Sequence, residues 1–92
     1  MEYIIYNDKD YPYEFSIFIK EYPARNYKVI WAISNCKNQR KISRIQSYYT
    51  SKNYEKNKTN AEYTANILKT KLINENPLKH GKKLLLSNLK WL

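Results

Sequence analysis

The sequence has very few of the residues from which catalytic and metal sites are usually built. Its 92 residues include one cysteine, one histidine and one glycine. This inventory supplies no intrachain disulfide, no cysteine and histidine set for zinc, and no glycine-rich phosphate loop. We therefore expect no metal, no cofactor and no enzymatic activity. A nucleophilic pair of Cys36 and His80 brought together by folding is the enzymatic alternative, whereas a buried, inert thiol is the preferred interpretation of Cys36.

Long apolar runs are also missing. No stretch approaches the roughly 18 to 20 apolar residues that a membrane-spanning helix needs. The first ten residues, MEYIIYNDKD, lack the basic-then-apolar pattern of a secretion signal. Together with the low cysteine content, these absences predict a cytoplasmic protein without a membrane partner.

Aromatic side chains supply much of the apolar area in this short chain. It contains ten tyrosines, two phenylalanines and two tryptophans. A chain of this length buries only about two thirds of the surface that is exposed when it is unfolded. Aromatic rings fill such a modest core with few rotatable bonds. We expect a single domain, 1–92, with no linker and no internal repeat.

Positive charge is abundant and unevenly placed. The formal net charge is +9, from 17 lysines and arginines against 8 acidic residues. Residues 1–21 hold five acids and two bases, a net charge of −3, so residues 22–92 carry the remaining +12. A basic body of this kind is typical of proteins that bind polyanions through phosphate contacts.

The first half of the chain has the pattern of an antiparallel sheet. Short apolar or alternating runs, separated by turn-forming residues, predict strands at about 2–6, 13–20, 27–34 and 40–49. The last of these fits a helix as well, because Ile42 and Ile45 are three residues apart. Its β-branched and tyrosine content favours a strand, with a bulge near Ser43 to reconcile the spacing.

The second half predicts one helix and an apolar C-terminal segment. Residues 51–58 are polar and lysine-rich, which indicates an exposed loop. Thr59 and Glu62 have the spacing of a capping box, so a helix is predicted over about 60–75. The segment 78–92 is expected to dock on the domain or on a second copy, as in a homodimer. The predicted fold class is α+β: a three- to four-stranded antiparallel meander packed on this helix, with the docked segment added.

The middle of the chain mixes basic and aromatic residues in a way that suits nucleic acid. Lysines and arginines can neutralise phosphates, arginine and glutamine can read base edges, and tyrosines can stack on unpaired bases. The alternative is a solvated basic surface over core tyrosines. The residues predicted to contact nucleic acid are Lys28, Lys37, Arg40, Lys41, Arg44, Gln46, Tyr48, Lys52, Lys56 and Lys58.

Three predicted antiparallel strands followed by a helix carry short motifs at Trp31-Ala32-Ile33, Arg40-Lys41-Ile42, Tyr49-Thr50 and Ala61-Glu62 with Ala65. In element order and in these motifs the chain resembles the AP2-type DNA-binding domain and the arm-binding domain of tyrosine recombinases. The resemblance spans about 60 of the 92 residues and lacks the glycines of the plant family. In those families the sheet face opposite the helix enters the major groove. The resemblance therefore implies a DNA-facing surface with Lys28, Arg40, Arg44, Gln46 and Tyr48.

These patterns predict a small, non-catalytic nucleic-acid-binding protein, with DNA favoured over RNA and with a virus or mobile element as the expected source. Phe18, Ile30 and Ala32 make the same sheet face more apolar than a DNA reader requires. They support the alternative of an inhibitor or adaptor that binds an acidic protein surface. A third interpretation is a ribosome-associated protein that binds folded RNA.

Overall fold

A computed structural model describes residues 1–74, which form a four-stranded antiparallel sheet and one helix. The strands follow one another across the sheet in chain order, as a meander. The predicted α+β class is therefore confirmed. The elements are β1 (Glu2–Asp10), β2 (Tyr13–Tyr22), a 3-10 turn (Pro23–Arg25), β3 (Asn26–Asn35), β4 (Arg40–Tyr49) and α1 (Tyr54–Asn74). The predicted docking of 78–92 and the homodimer that it would form lie outside the described residues.

The strands differ from the predicted ones in their ends and bulges. β1 continues to Asp10, where a turn was predicted, and the chain reverses at the cis Tyr11-Pro12 bond instead. Residues 40–49 are a strand, as predicted. The bulge of β4 lies at Gln46 rather than near Ser43, because the pairing with β3 skips that residue. The turn after β3 exposes Cys36, so the prediction of a buried thiol is wrong.

The helix begins earlier than predicted. Residues 54–58, expected to be loop, are its first turns, and Asn53 caps it by accepting a hydrogen bond from the Lys56 amide at 3.3 Å. Thr59 lies inside the helix, where its hydroxyl donates to the Glu55 carbonyl at 3.1 Å. The predicted capping box at Thr59 is therefore wrong, because its hydroxyl bonds backwards along a helix that has already started.

The core lies between α1 and one face of the sheet. The inward residues in the middle of β2 and β3 are buried, and the Phe15 and Trp31 rings stack with centroids 6.1 Å apart. Ala61 and Ala65 are also fully buried. Their small side chains let the helix backbone approach the sheet closely, so bulky side chains from the strands fill the space.

Candidate nucleic-acid interface

The two faces of the sheet have different roles, and cross-strand pairing assigns each residue to one of them. Directly opposite residues of neighbouring strands point to the same side. Trp31 is buried beneath the helix and pairs with Arg44, so Arg44 projects from the helix side. Lys28 pairs with Tyr48, an odd number of residues along β3 from Trp31, and both project from the opposite side. We call this opposite side the open face, because α1 packs on the other one.

The structure divides the predicted contact residues among several surfaces. Lys28, Lys41 and Tyr48 project from the open face, whereas Arg40 and Arg44 project from the helix side of β4. The other five are Gln46 at the bulge, Lys37 in the turn after β3, Lys52 before the helix, and Lys56 and Lys58 on α1. The two arginines therefore do not lie on the face that the resemblance assigned to them, since the alternation of β4 turns them towards α1.

Four rows of the open face cross all four strands, and the pair of Tyr22 and Asn26 lies on the same face beyond the first of them. The first row runs Glu2, Lys20, Lys28 and Tyr48, and the second runs Ile4, Phe18, Ile30 and Ile45. The third row consists of Asn7, Ser16, Ala32 and Ser43, and the fourth of Lys9, Glu14, Ser34 and Lys41. From one end of the sheet to the other, the open face thus changes from basic and aromatic, to apolar, to small and polar, to charged.

A cluster of two lysines and two tyrosines stands at the first row. The Lys28 ammonium lies 4.7 Å from the centre of the Tyr22 ring and 4.9 Å from that of Tyr48. Lys20 lies 5.2 Å from the Tyr22 ring. The two rings meet edge to face, with centroids 6.1 Å apart. We call Lys20, Tyr22, Lys28 and Tyr48 the Lys–Tyr cluster.

Only half of this cluster, Lys28 and Tyr48, was predicted from the sequence. Tyr22 lies beyond the predicted end of the second strand, and Lys20 belongs to the net acidic segment 1–21. The alternating pattern of the predicted strand could have indicated both residues. Extended by two residues beyond its predicted end, it places Tyr22 on the same side of β2 as Phe18 and Lys20.

The charges of the open face favour an anion at the cluster. Lys9 forms an ion pair with Glu14 at 3.3 Å, so these two charges largely cancel at the far end. Glu2 is the acidic residue of the first row, opposite Lys20 and exposed at the edge of the sheet. The Lys–Tyr cluster therefore carries two positive charges, and the carboxylate that opposes them in the first row lies at the edge of the sheet. The net positive charge at the cluster attracts an anion.

The second row is an apolar strip across all four strands, with an exposed residue at each end and the half-buried Phe18 and Ile30 between them. Ile4 is 65% exposed and Ile45 58% exposed, although both belong to residue types that are usually buried. Next to it, a depression of about 590 Å³ is lined by Glu2, Tyr3, Ile4, Ser16, Phe18 and Lys41. The small side chains of the third row leave this depression beside the bulkier second row.

Comparison of the chain with protein-family models, curated proteins and solved structures found no match.

Within residues 1–74, no cluster of three histidine, cysteine or acidic side chains could hold a metal ion. The helix of this part of the chain lacks the apolar length required to cross a membrane. Because His80 lies outside the described residues, the Cys36 and His80 pair is not placed by the structure.

Proposed function

We propose that the protein is a non-catalytic nucleic-acid-binding protein and that the open face of the sheet is its contact surface. The observation that carries this proposal is the Lys–Tyr cluster. Lys20 and Lys28 would neutralise phosphates, which releases the counterions condensed on the nucleic acid. The tyrosine rings hold the two ammonium groups close together, so that they act on one stretch of backbone.

The net charge of +9 supports the same proposal. A positively charged molecule attracts a polyanion from a distance and accelerates its association. The lysines and arginines on α1 and in the turns would contribute to this attraction without contacting the nucleic acid. Local binding at the cluster and the long-range field of the whole chain are therefore separable by mutation.

The test is the salt dependence of binding to fluorescein-labelled oligonucleotides, single-stranded and duplex, of DNA and of RNA. The double variant Lys20→Gln, Lys28→Gln should weaken binding and reduce the slope of log K against log salt by about 0.7 to 0.9 for each phosphate that is no longer neutralised. Lys71→Gln on the exposed side of α1 is the matched control, because it removes the same kind of charge from outside the open face.

Two results would contradict the proposal. One is binding no tighter than about 10⁻⁴ M, the level of ordinary non-specific association, or binding that does not change with salt. The other is an equal decrease of affinity per charge in the Lys71→Gln control. The second result would mean that charge acts only through the field of the whole molecule, without a contact surface on the sheet.

The apolar strip favours a second candidate, a protein-binding module. Ile4, Phe18, Ile30 and Ile45 would form the centre of such an interface, and the basic charge would steer an acidic partner towards it. In this case a single acidic protein should stay bound after nuclease digestion and should not bind the Ile45→Glu variant. Release of all bound proteins on nuclease digestion would exclude it.

A further inference from the structure

We infer that the nucleic acid taken by the open face is single-stranded, with unpaired bases stacked on Tyr22 and Tyr48. This inference rests on the proposed function and adds the class of nucleic acid. It differs from the duplex DNA that the resemblance implies. Three features of the open face carry it: the tyrosine rings, the apolar strip and the depression beside that strip.

The tyrosine rings are placed where bases can reach them. Tyr48 is 48% exposed, and Tyr22 is partly exposed at the end of β2. Lysine ammonium groups lie over these rings, but an exposed cation–π interaction is worth only about 0.5 to 1 kcal/mol. Stacking of a base on an aromatic ring is worth about 1 to 3 kcal/mol. A base can therefore displace an ammonium group, which then moves to the adjacent phosphate.

The apolar strip fits a single strand better than a duplex. In a duplex the flat faces of the bases are already stacked, and the surface presents phosphates and polar base edges. Covering Phe18 and Ile30 with that surface would desolvate phosphates without giving them partners, which costs free energy. A single strand has unstacked bases whose apolar faces can cover the strip.

The polar residues needed to read a duplex are also missing from the centre of the open face. Base edges in a major groove are read by long side chains such as arginine, lysine, asparagine and glutamine. The second and third rows carry isoleucine, phenylalanine, serine and alanine, with Asn7 only at the edge. Arg40 and Arg44, which could read guanine, project from the helix side of β4.

The depression gives the strand a continuous path along β2. From Tyr22 the outward residues of this strand are Lys20, Phe18 and then Ser16, which lines the depression. At about 3.3 Å per residue, the path from Tyr22 to Ser16 is about 20 Å long. Lys41 at the depression offers a cation to a phosphate, and Glu2 offers an acceptor to a base amino group.

The experiment compares a labelled single strand of about 12 deoxythymidines with a labelled hairpin duplex of similar charge. The single strand should bind more tightly. Tyr22→Ala and Tyr48→Ala should each weaken its binding by about 5- to 150-fold, the equivalent of one stacked base. Tyr22→Phe and Tyr48→Phe keep the ring and should bind like the unchanged protein. Tyr63→Ala, which removes an exposed tyrosine from α1, is the matched control.

The outcomes separate this inference from the proposed function. If the duplex binds at least as tightly and the alanine variants bind normally, while Lys20→Gln, Lys28→Gln is impaired, the single-strand inference is wrong and the proposed function stands. If the phenylalanine variants bind as weakly as the alanine variants, the hydroxyls act and stacking is wrong. If the unchanged protein binds neither oligonucleotide, both proposals fail. Thermal unfolding of every variant distinguishes weaker binding by a folded protein from a failure to fold.

Discussion

Asn57 is a buried polar side chain whose hydrogen bonds join two irregular segments of the chain. Its Oδ1 accepts from the Ser51 amide at 3.1 Å, and its Nδ2 donates to the Ser51 carbonyl at 2.8 Å. Nδ2 also donates to the Arg25 carbonyl at 3.2 Å. Arg25 follows Ala24, and both have a positive φ, of 53° and 65°. The amide of Asn57 thus stabilises a turn that non-glycine residues adopt reluctantly.

We predict that Asn57→Ala lowers the free energy of unfolding by about 1 to 3 kcal/mol, because the hydrogen bonds of a buried side chain to three backbone groups are lost. Urea unfolding followed by circular dichroism measures this change. Asn66→Ala is the matched control, since Asn66 is exposed on the same helix and bonds only within it to the Glu62 carbonyl. The control should be neutral or slightly stabilising, because alanine favours helix more than asparagine. Equal decreases in the two variants would contradict the role given to Asn57.

Polar side chains form the start of α1, so the hydrophobic pattern of the sequence does not indicate where this helix begins. Asn53 caps the helix, and the first turns carry lysines and asparagines. The buried positions of the helix are Asn57, Ala61, Ala65 and Leu72. Because the first of these is polar, the apolar stripe becomes visible in the sequence only from Ala61. The period of 3.6 residues therefore indicated the helix correctly but placed its start too late.

We predict that Asn53→Ala lowers stability by about 1 kcal/mol, the usual cost of removing a helix cap. Thr59→Ala should leave stability unchanged or raise it slightly, because Thr59 lies inside the helix, where alanine is the better residue. Thermal unfolding of the two variants at the same pH checks both expectations. If Thr59→Ala were the more damaging change, the helix would begin near Thr59 in solution.

Neutral tyrosines connect the elements across the whole molecule. Tyr3 of β1 donates a hydrogen bond to Glu62 of α1 at 3.2 Å, and Tyr27 of β3 donates to Glu21 of β2 at 2.9 Å. Burial and the Glu62 carboxylate raise the pKa of Tyr3 to about 12. Burial and the hydrogen bond to Glu21 raise the pKa of Tyr27 as well. The fold therefore binds the phenol protons more tightly than the unfolded chain does.

We predict that the protein loses stability at alkaline pH. A raised pKa contributes stability that is fully present below the unfolded value of about 10 and is lost as pH rises towards the folded value. For Tyr3 this interval extends from about pH 10 to about pH 12. Urea midpoints at pH 8, 10 and 11 should therefore fall along this series.

The Tyr3→Phe variant tests whether Tyr3 contributes to this decrease. It should be less stable than the unchanged protein at pH 8, since the bond to Glu62 is missing. Its stability should then fall less steeply between pH 10 and 11, because one phenol no longer titrates. An unchanged slope would show that the titration of Tyr3 is not coupled to folding.

The candidate site is a property of the whole sheet and was only partly visible in the sequence. Lys28, Lys41 and Tyr48 were predicted to contact the ligand, and all three project from the open face. Lys20 and Tyr22 were not predicted, because Lys20 belongs to the net acidic segment 1–21 and Tyr22 lies beyond the predicted end of the second strand. They join Lys28 and Tyr48 only when β2 and β3 pair in the observed register.

What the sequence determined by itself is the α+β class, the approximate positions of the strands, three or four in number, the presence of one helix and the excess of positive charge. These properties follow from local periodicity and composition. Only the tertiary structure decided which face each residue of β4 occupies, that four rows of distinct chemistry cross the open face, and that Lys20 and Tyr22 stand beside Lys28 and Tyr48. The physical reason is that strand register and bulge position depend on pairing and packing between segments distant in the chain, and a shift of one residue moves every side chain to the other face.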